Sequence, residues 1–212
     1  MVKTVALFDF DGTLTHGDSL VPFLIMSAGI PRFTLALLMA CPFLAGYALR
    51  LVRNNVAKEA LLYSTISGFS DQVMNKLGKD FAQYDIPFML RKETIDRLRD
   101  HQCQGHCCIL VSASLNVYLE PWANNIGFDY CIATRLALDL KGEVSGKFDG
   151  ANCHGLEKVR RLKLLFDVIG QPDYIYAYGD TDGDIPMFEM SDEAYWVKKK
   201  GISRALGIKK IR

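Results

Sequence analysis

Two aspartates, one residue apart, follow the first apolar run of the sequence. In KTVALFDFDGTLTHGDS, residues 5–8 are strand formers, and Asp9 and Asp11 come directly after them, before Gly12. Side chains alternate along a strand, so both carboxylates are expected to begin on the same side. Two carboxylates at one buried strand end repel each other, and burial disfavours their charge. A divalent cation is the simplest compensation; the alternative, a plain Asp-Gly-Thr turn, leaves Asp9 unexplained.

Two further apolar runs end in polar residues. CCILVSAS carries Ser112 near its end, and YIYAYGDTDGD carries Asp180 and Asp184. Lys158 lies between these runs, early in a predicted helix. Ligands of open α/β sheets bind outside the carboxyl ends of the strands, so these residues are expected to share one crevice with the first aspartate pair.

The elements that must position these residues alternate between strands and helices. Strands are predicted at the first aspartates and at CCILVSAS, FDYCIAT, YIYAYGD and AYWV, and a β-hairpin is predicted to turn at Lys141 and Gly142. DIPFMLRKETIDRLRDHQCQG is predicted as one amphipathic helix. The alternation predicts a Rossmann-like α/β parallel sheet. Residues 17–85 contain no clear strand and predict an inserted all-helical cap, with 1–16 and 86–212 forming the core.

The four polar clusters, in this order, resemble the four motifs of the haloacid dehalogenase superfamily. They are DFDGTLT, Ser112 in ILVSAS, Lys158 in GLEKVRRL, and GDTDGD. The insertion directly after the first motif is similar to the cap of the phosphoserine-phosphatase-like branch, subfamily IB. Phosphatidylglycerophosphatase C belongs to a nearby group with a similarly apolar cap. The resemblance implies a Mg²⁺-dependent phosphomonoester hydrolase that works through an aspartyl-phosphate.

The resemblance also implies roles for the aspartates. Asp9 would be the nucleophile, and Asp11 would protonate the leaving oxygen and then activate water. Mg²⁺ would bind the Asp9 carboxylate, the Asp11 backbone carbonyl and Asp180, with Asp184 as a direct or water-mediated ligand. An aspartate at the second position is typical of phosphatases and phosphomutases rather than of ion-pumping ATPases.

The substrate side follows the family less completely. Ser112 and Lys158 would hold phosphoryl oxygens. Asp18 matches a substrate-binding glutamate, although it is also a good cap for the first cap helix. Gly183 replaces an asparagine that hydrogen-bonds the substrate phosphate, and no arginine in the cap clearly matches the one that grips the carboxylate of phosphoserine. Free phosphoserine is therefore not the expected substrate.

Composition excludes several other classes. Lys and Arg total 25 against 24 Asp and Glu, a net charge of +1, so no overall field favours nucleic acid. The six cysteines form no CxxC pair, which favours reduced thiols and the cytoplasm, and no secretory signal is predicted. HQCQGHCC concentrates His and Cys, but its spacing fits no standard zinc site, so no zinc is predicted there.

The most apolar segment, residues 33–49, leaves two interpretations open. It forms a buried cap core, or it makes an interfacial contact with a membrane, with Pro42 and Gly46 breaking it into a helical hairpin. A single membrane crossing is excluded, because it would separate Asp9 from Ser112 and Lys158. The tail, residues 198–212, carries seven basic residues and no acidic one, which suits either a solvated tail or attraction to anionic lipid.

The sequence leaves four possible functions to be tested. The expected one is hydrolysis of a small soluble phosphomonoester. Hydrolysis of a lipid phosphate at the inner face of the membrane is the alternative. Transfer of the phosphoryl group to a second substrate, and a catalytically silent binding protein on the same fold, are less favoured; the intact Asp9 and Asp11 argue against the silent protein. The oligomeric state is not predicted.

Overall fold

A six-stranded sheet forms the centre of the computed structural model, which describes residues 3–49, 51–199 and 201–205. The strands run in the order β3-β2-β1-β6-β7-β8. They are β1 (Thr4–Phe8), β2 (Cys107–Leu115), β3 (Tyr130–Thr134), β6 (Tyr174–Gly179), β7 (Glu193–Lys198) and β8 (Gly201–Arg204). Neighbours are parallel except β7 and β8. The structure confirms the predicted Rossmann-like α/β sheet and adds β8 to it.

The first three helices lie between β1 and β2 in the chain, which confirms the helical insertion after the first strand. The helices are α1 (Leu20–Ala48), α2 (Asn54–Ile66), α3 (Asp71–Tyr84), α4 (Lys92–Cys103), α5 (Asn116–Ile126), α6 (Leu156–Ile169) and α7 (Ile185–Glu189). The prediction of one helix across DIPFMLRKETIDRLRDHQCQG is wrong in its first third. A 3₁₀ helix, Ile86–Phe88, stands there, and Leu90 pairs with Thr15 in an isolated bridge, so α4 begins only at Lys92.

The central strand β1 is buried on both faces. All four side chains of residues 5–8 have no exposed surface. Ala6 and Phe8 pack into one apolar cluster, and Val5 and Leu7 pack into another. Side chains alternate along a strand, so the two clusters are the cores on the two sides of the sheet. A continuous apolar run is the expected sequence of such a strand.

Pro42 and Gly46 do not break residues 33–49 into the helical hairpin that one interpretation of this segment allowed. The helical path breaks at Gly29, which has φ 77° and ψ 157°, and then runs through Pro42 and Gly46 to Ala48. A proline removes one backbone donor but does not have to end a helix whose flanking turns are intact. The chain therefore reverses only after Ala48, and α2 packs back along α1.

Two glycines mark close approaches between the inserted helices and the rest of the chain. A Cβ on Gly78 of α3 would lie 2.1 Å from the Val117 carbonyl oxygen of α5. A Cβ on Gly146 would lie 2.3 Å from the Tyr63 Cα of α2. Gly146 belongs to β5 (Val144–Phe148), which forms the predicted hairpin with β4 (Leu136–Leu138). The division into a core and a cap at residues 17 and 85 stays a prediction.

Much of α1 faces solvent. Its most apolar stretch has a mean hydropathy of 1.7, and 22% of that stretch is buried. The large apolar side chains that α1 exposes are Val21, Ile30, Leu35, Leu37, Leu38, Met39, Phe43 and Tyr47. The interpretation of this segment as a buried cap core is wrong for most of its side chains. By length and composition α1 is able to span a bilayer, but a single helix of this kind is weak evidence for a span.

Candidate active site

The two first-motif aspartates leave the strand together in a tight turn. β1 ends at Phe8, and the backbone amides of Thr13, Leu14 and Thr15 all donate to the Phe10 carbonyl. Phe10 is fully buried, whereas Asp9 and Asp11 on either side of it line one cavity of about 530 Å³. Their shared direction therefore comes from a turn anchored by Phe10 rather than from the strand itself.

The predicted site residues meet in this cavity at the carboxyl ends of the strands. It is lined by Asp9, Asp11, Asp18, Ser112, Lys158, Asp180 and Asp184, together with residues of α1 and α2. A larger cavity, of about 640 Å³, is lined by Lys3, Thr4 and Cys107 at the opposite ends of the strands, and it contains none of them. The common crevice expected from the sequence is therefore present.

Lys158 bridges two of the carboxylates. It lies early in α6 and is 2% exposed, and its Nζ donates to Asp9 Oδ1 and to Asp184 Oδ1, at 2.6 Å in each case. Burial opposes the ammonium charge, but the two carboxylates outweigh it and raise the pKa of Lys158. A buried lysine held between two carboxylates is a fixed positive charge at the floor of the cavity.

Asp184 anchors the loop that carries Asp180. Its Oδ2 accepts from the backbone amides of Asp180 and Thr181, at 3.1 Å each, and from Thr181 Oγ1 at 3.3 Å. Glycine permits this close packing at two positions. A Cβ on Gly179 would lie 2.6 Å from Asp184 Cβ, and a Cβ on Gly12 would lie 2.1 Å from Asp180 Oδ2.

Three carboxylates suit a divalent cation. Oxygen atoms of Asp9, Asp180 and Asp184 lie within 4.8 Å of one another. Burial raises the pKa of Asp9, although Lys158 opposes the shift; burial and Asp184 raise that of Asp180 to about 6. A bound cation would favour the charged carboxylates, and oxygen ligands are those that Mg²⁺ prefers. The residues therefore fit the Mg²⁺ that the resemblance implies.

The individual carboxylates differ in the oxygens that they offer. Among the described residues, Asp9 Oδ2 and Asp180 Oδ2 accept no hydrogen bond, whereas both oxygens of Asp184 are engaged. Asp9 and Asp180 are thus the better direct ligands, and Asp184 suits contact through water. The contribution of the Asp11 backbone carbonyl to metal binding stays a prediction.

The Asp11 carboxylate is held by hydroxyl and amide donors. Oδ1 accepts from the Ser19 backbone amide at 2.8 Å, and Oδ2 accepts from Ser114 Oγ. Burial and the nearby Asp18 carboxylate raise the pKa of Asp11 to about 6, against the lowering effect of the two serine donors. A carboxyl group with this pKa is able to exchange a proton near neutral pH.

Asp18 has the capping role that the sequence allowed. Its Oδ1 accepts from the backbone amides of Leu20 and Val21, at 2.9 and 3.2 Å, at the start of α1. The same side chain lines the cavity. Its contact with substrate stays a prediction.

Helix α2 contributes a positively charged side chain to the cavity, and this residue was not predicted from the sequence. Lys58 Nζ donates to the Ala113 carbonyl at 3.1 Å, directly beside the buried Ser112, whose Oγ accepts from the Ser114 amide. Burial lowers the pKa of Lys58, although the carboxylates of Asp11 and Asp18 oppose the shift. The inserted helix α2 thus brings a lysine to the cavity. Nothing in the local pattern VAKEALL distinguishes Lys58 from a solvated helix lysine.

His154 is another residue that lines the cavity and that the sequence did not indicate. It lies four residues before Lys158, against Gly183. This short separation from a motif residue was the feature of the sequence that could have indicated His154 as a site residue. Ser114, which donates to Asp11, lies in the strand run CCILVSAS, and the sequence predicted no separate role for it.

The histidines of HQCQGHCC bond to each other and to a tyrosine. His101 Nδ1 lies 2.8 Å from His106 Nδ1, and His101 Nε2 lies 2.9 Å from the Tyr178 hydroxyl. Cys107 and Cys108 belong to β2, as expected. The absence of zinc at this segment stays a prediction.

Comparisons with known proteins agree with the motifs. A sequence model of the family described as haloacid dehalogenase-like hydrolase matches residues 6–189. Protein CicA of Caulobacter vibrioides is 35% identical over 188 residues, which cover 88% of this chain and 82% of CicA. The phosphoserine phosphatase of Methanocaldococcus jannaschii is 25% identical over 192 residues, which cover 88% and 82% of the two chains.

Solved structures share the fold. A phospho-aspartyl intermediate analogue of phosphoserine phosphatase superimposes with a TM-score of 0.64 at 18% sequence identity, covering 92% of this chain and 86% of that one. The family resemblance is therefore confirmed by sequence and the helical-capped α/β architecture by structure: the chain belongs to the haloacid dehalogenase-like hydrolase family.

Proposed function

We propose that the protein is a Mg²⁺-dependent phosphatase that hydrolyses a small phosphomonoester through an aspartyl-phosphate on Asp9. The observation that carries the proposal is the bonding of the Asp9 carboxylate. Lys158 donates to one oxygen, and the other accepts no hydrogen bond from any described residue; a carboxylate oxygen of Asp9 also lies within 4.8 Å of one of Asp180. The phosphoserine phosphatase relative supports the phosphatase class.

The residues divide the reaction into two halves. An Asp9 oxygen attacks phosphorus while Asp11, in its protonated form, gives its proton to the leaving oxygen, and an alcohol departs. Asp11 then takes a proton from a water molecule, whose oxygen attacks phosphorus, and the bond to Asp9 breaks to release inorganic phosphate. Asp9 and Asp180 would hold a Mg²⁺ ion, which would supply neutralisation of the negative charges of the carboxylate and the phosphate.

The positive groups of the cavity favour an anionic substrate. Lys158 lies at the floor, and Lys58 approaches from the cap beside Ser112. A phosphoryl group between Ser112 and Lys158 would find a hydroxyl and a cation, and Lys58 offers a second cation to the rest of the substrate. A cavity of about 530 Å³ suits a small molecule.

A phosphate-release assay tests the proposal. Purified protein is offered a panel of soluble phosphomonoesters and lipid phosphates, the latter with detergent, in Mg²⁺ or EDTA. Turnover is expected with Mg²⁺ and is expected to disappear in EDTA. Turnover that persists in EDTA contradicts the metal assignment. Product analysis with added alcohols distinguishes hydrolysis from phosphoryl transfer, and a protein silent with every ester supports the binding-protein alternative.

A second candidate is a lipid-phosphate phosphatase that works from the cytoplasm at the inner membrane face. One helix carries the supporting observation: α1 exposes Leu35, Leu38, Met39 and Phe43, and its Tyr47 also lines the catalytic cavity. An apolar surface that continues to the mouth of the site would bring a lipid headgroup to Asp9. The flanking Arg50 and most of the basic tail (residues 200 and 206–212) lie outside the described residues.

Co-sedimentation with vesicles tests this second candidate. Neutral and anionic vesicles are compared at low and high salt. Binding to anionic vesicles that weakens with salt, together with faster turnover of lipid phosphates than of soluble esters, is the expected result. Protein that stays in the supernatant throughout contradicts membrane contact. A dimer in gel filtration that is dispersed by Leu38→Gln would instead assign the apolar surface to a second copy of the chain.

A further inference from the structure

His154 presents its imidazole ring at the catalytic cavity. It lines this cavity and a neighbouring one of about 330 Å³ that also contains Asn54 and Asn152. Its backbone is held, since its amide donates to the Asn152 carbonyl at 2.7 Å and its carbonyl accepts from the Glu157 amide at 3.3 Å. Among the described residues, neither ring nitrogen has a hydrogen-bond partner. The backbone of His154 is thus held in place, and its ring makes no hydrogen bond within the described part of the chain.

Gly183 provides the space for this ring. A Cβ at position 183 would lie 2.4 Å from His154 Nε2 and 3.0 and 3.1 Å from the two neighbouring ring carbons. The backbone of Gly183 does not have a left-handed φ, so its conformation is open to other residues. Glycine at this position is therefore explained by the histidine ring rather than by the backbone.

The position of the pair links it to the phosphate-binding groups. Gly183 is the middle residue of the 3₁₀ helix Asp182–Asp184, whose last residue accepts from Lys158. His154 lies just before α6, which carries Lys158. The imidazole and the lysine thus approach the cavity from the same segment of chain, and an imidazole N–H is a good donor to an anionic oxygen.

We propose that His154 is a phosphate-binding residue whose Nε2 donates a hydrogen bond to a phosphoryl oxygen of the substrate, and that Gly183 is required to admit its ring. The inference rests on the proposed phosphatase function. It adds to the four motif positions a fifth contact, contributed by a residue that lies outside all of them. The bond is made to the phosphate itself, so it is independent of which alcohol the substrate carries.

Substitutions of His154 test the donor. His154→Leu keeps a side chain of similar size without an N–H, and His154→Gln restores a donor. Steady-state kinetics with p-nitrophenyl phosphate in Mg²⁺ are measured together with competitive inhibition by inorganic phosphate. His154→Leu is expected to raise both KM and the phosphate inhibition constant about tenfold, the size of one charge-assisted hydrogen bond, and His154→Gln to recover most of the loss. An unchanged inhibition constant in His154→Leu overturns the proposal.

A double-mutant cycle tests the pairing with Gly183. Gly183→Ala is expected to weaken phosphate binding in the wild-type background, because its Cβ displaces the ring. The same substitution is expected to have little further effect in a His154→Ala background. Full additivity of the two substitutions contradicts the steric pairing.

Failure of this inference and failure of the proposed function give different results. A wild-type protein that turns over no ester contradicts the phosphatase proposal. Binding of inorganic phosphate in Mg²⁺, followed by titration calorimetry on wild type and His154→Leu, then still decides the role of His154. Equal phosphate affinity, or no binding by either protein, overturns it.

Discussion

The strand β1 and the helix α1 are neighbours in sequence and are both apolar, but they bury very different fractions of their side chains. Residues 5–8 of β1 have no exposed surface. In α1, 22% of the most apolar stretch is buried, and Leu38 is 68% exposed. The strand leads into a site crowded with buried charges, whereas the helix carries its apolar side chains on the outside.

The difference shows that apolar composition and burial are separate properties. β1 has a strand on each side and a packed cluster against each face, so every apolar side chain finds a partner. α1 packs against α2 and, near its N-terminus, against α3 and α5, but it leaves large apolar side chains such as Leu38 exposed among the described residues. In the strand, apolar residues stabilise the fold; on the exposed face of the helix they are available for contact with something else.

The largest expected effect is on the site to which β1 leads, at Asp9. Asp9→Asn is expected to lower kcat by about 10³-fold or more, because the amide cannot act as the nucleophile. Burial raises the pKa of Asp9, so the fold disfavours its charge, and the neutral amide is expected to leave the melting temperature unchanged or higher. Phosphate release and thermal unfolding are measured on the same preparation. Near-wild-type turnover sinks the assignment of Asp9.

The difference between buried and exposed apolar side chains is tested by the same substitution, leucine to alanine, at two positions of α1. Leu24→Ala removes a fully buried side chain and is expected to lower the free energy of unfolding by about 2–5 kcal/mol. Leu38→Ala is expected to change it by no more than about 0.5 kcal/mol, because the side chain is 68% exposed. Chemical denaturation measures both variants. Equal losses at the two positions would mean that the outer face of α1 is packed in solution.

Smaller effects are expected from alanine substitutions at two glycines, which together distinguish backbone strain from crowding at the site. Gly12 and Gly105 have φ of +76° and +70°, but a Cβ on Gly12 would meet Asp180 at 2.1 Å, whereas a Cβ on Gly105 meets nothing within 4 Å. Both alanine variants are expected to lose about 1 kcal/mol or more of stability through the left-handed backbone.

Activity is the readout that distinguishes these two glycines. Gly105→Ala is expected to keep wild-type turnover. Gly12→Ala is expected to lower the turnover at least about tenfold, because a displaced Asp180 no longer faces Asp9. Equal activity of the two variants would show that the loop absorbs the added methyl group.

The local sequence was sufficient for the framework of the site. Asp9, Ser112 and Asp180 each end an apolar run, and such runs predict buried parallel strands whose carboxyl ends meet. The strand β8 escaped prediction, since Gly201–Arg204 has one large apolar residue and pairs at the sheet edge. The start of α4 was also missed, because Leu90 is taken up by a bridge to a residue far away in the chain, Thr15.

By itself, the sequence determined the fold class, the inserted helices and the order of the motif residues, because these depend on periodicity and on short spacings within single elements. Only the tertiary structure decided that Lys58 reaches Ala113, 55 residues away, and that the ring of His154 fills the space beside Gly183. It also decided which side of α1 is exposed. Proximity between distant segments depends on how whole elements pack, and no local pattern records that packing.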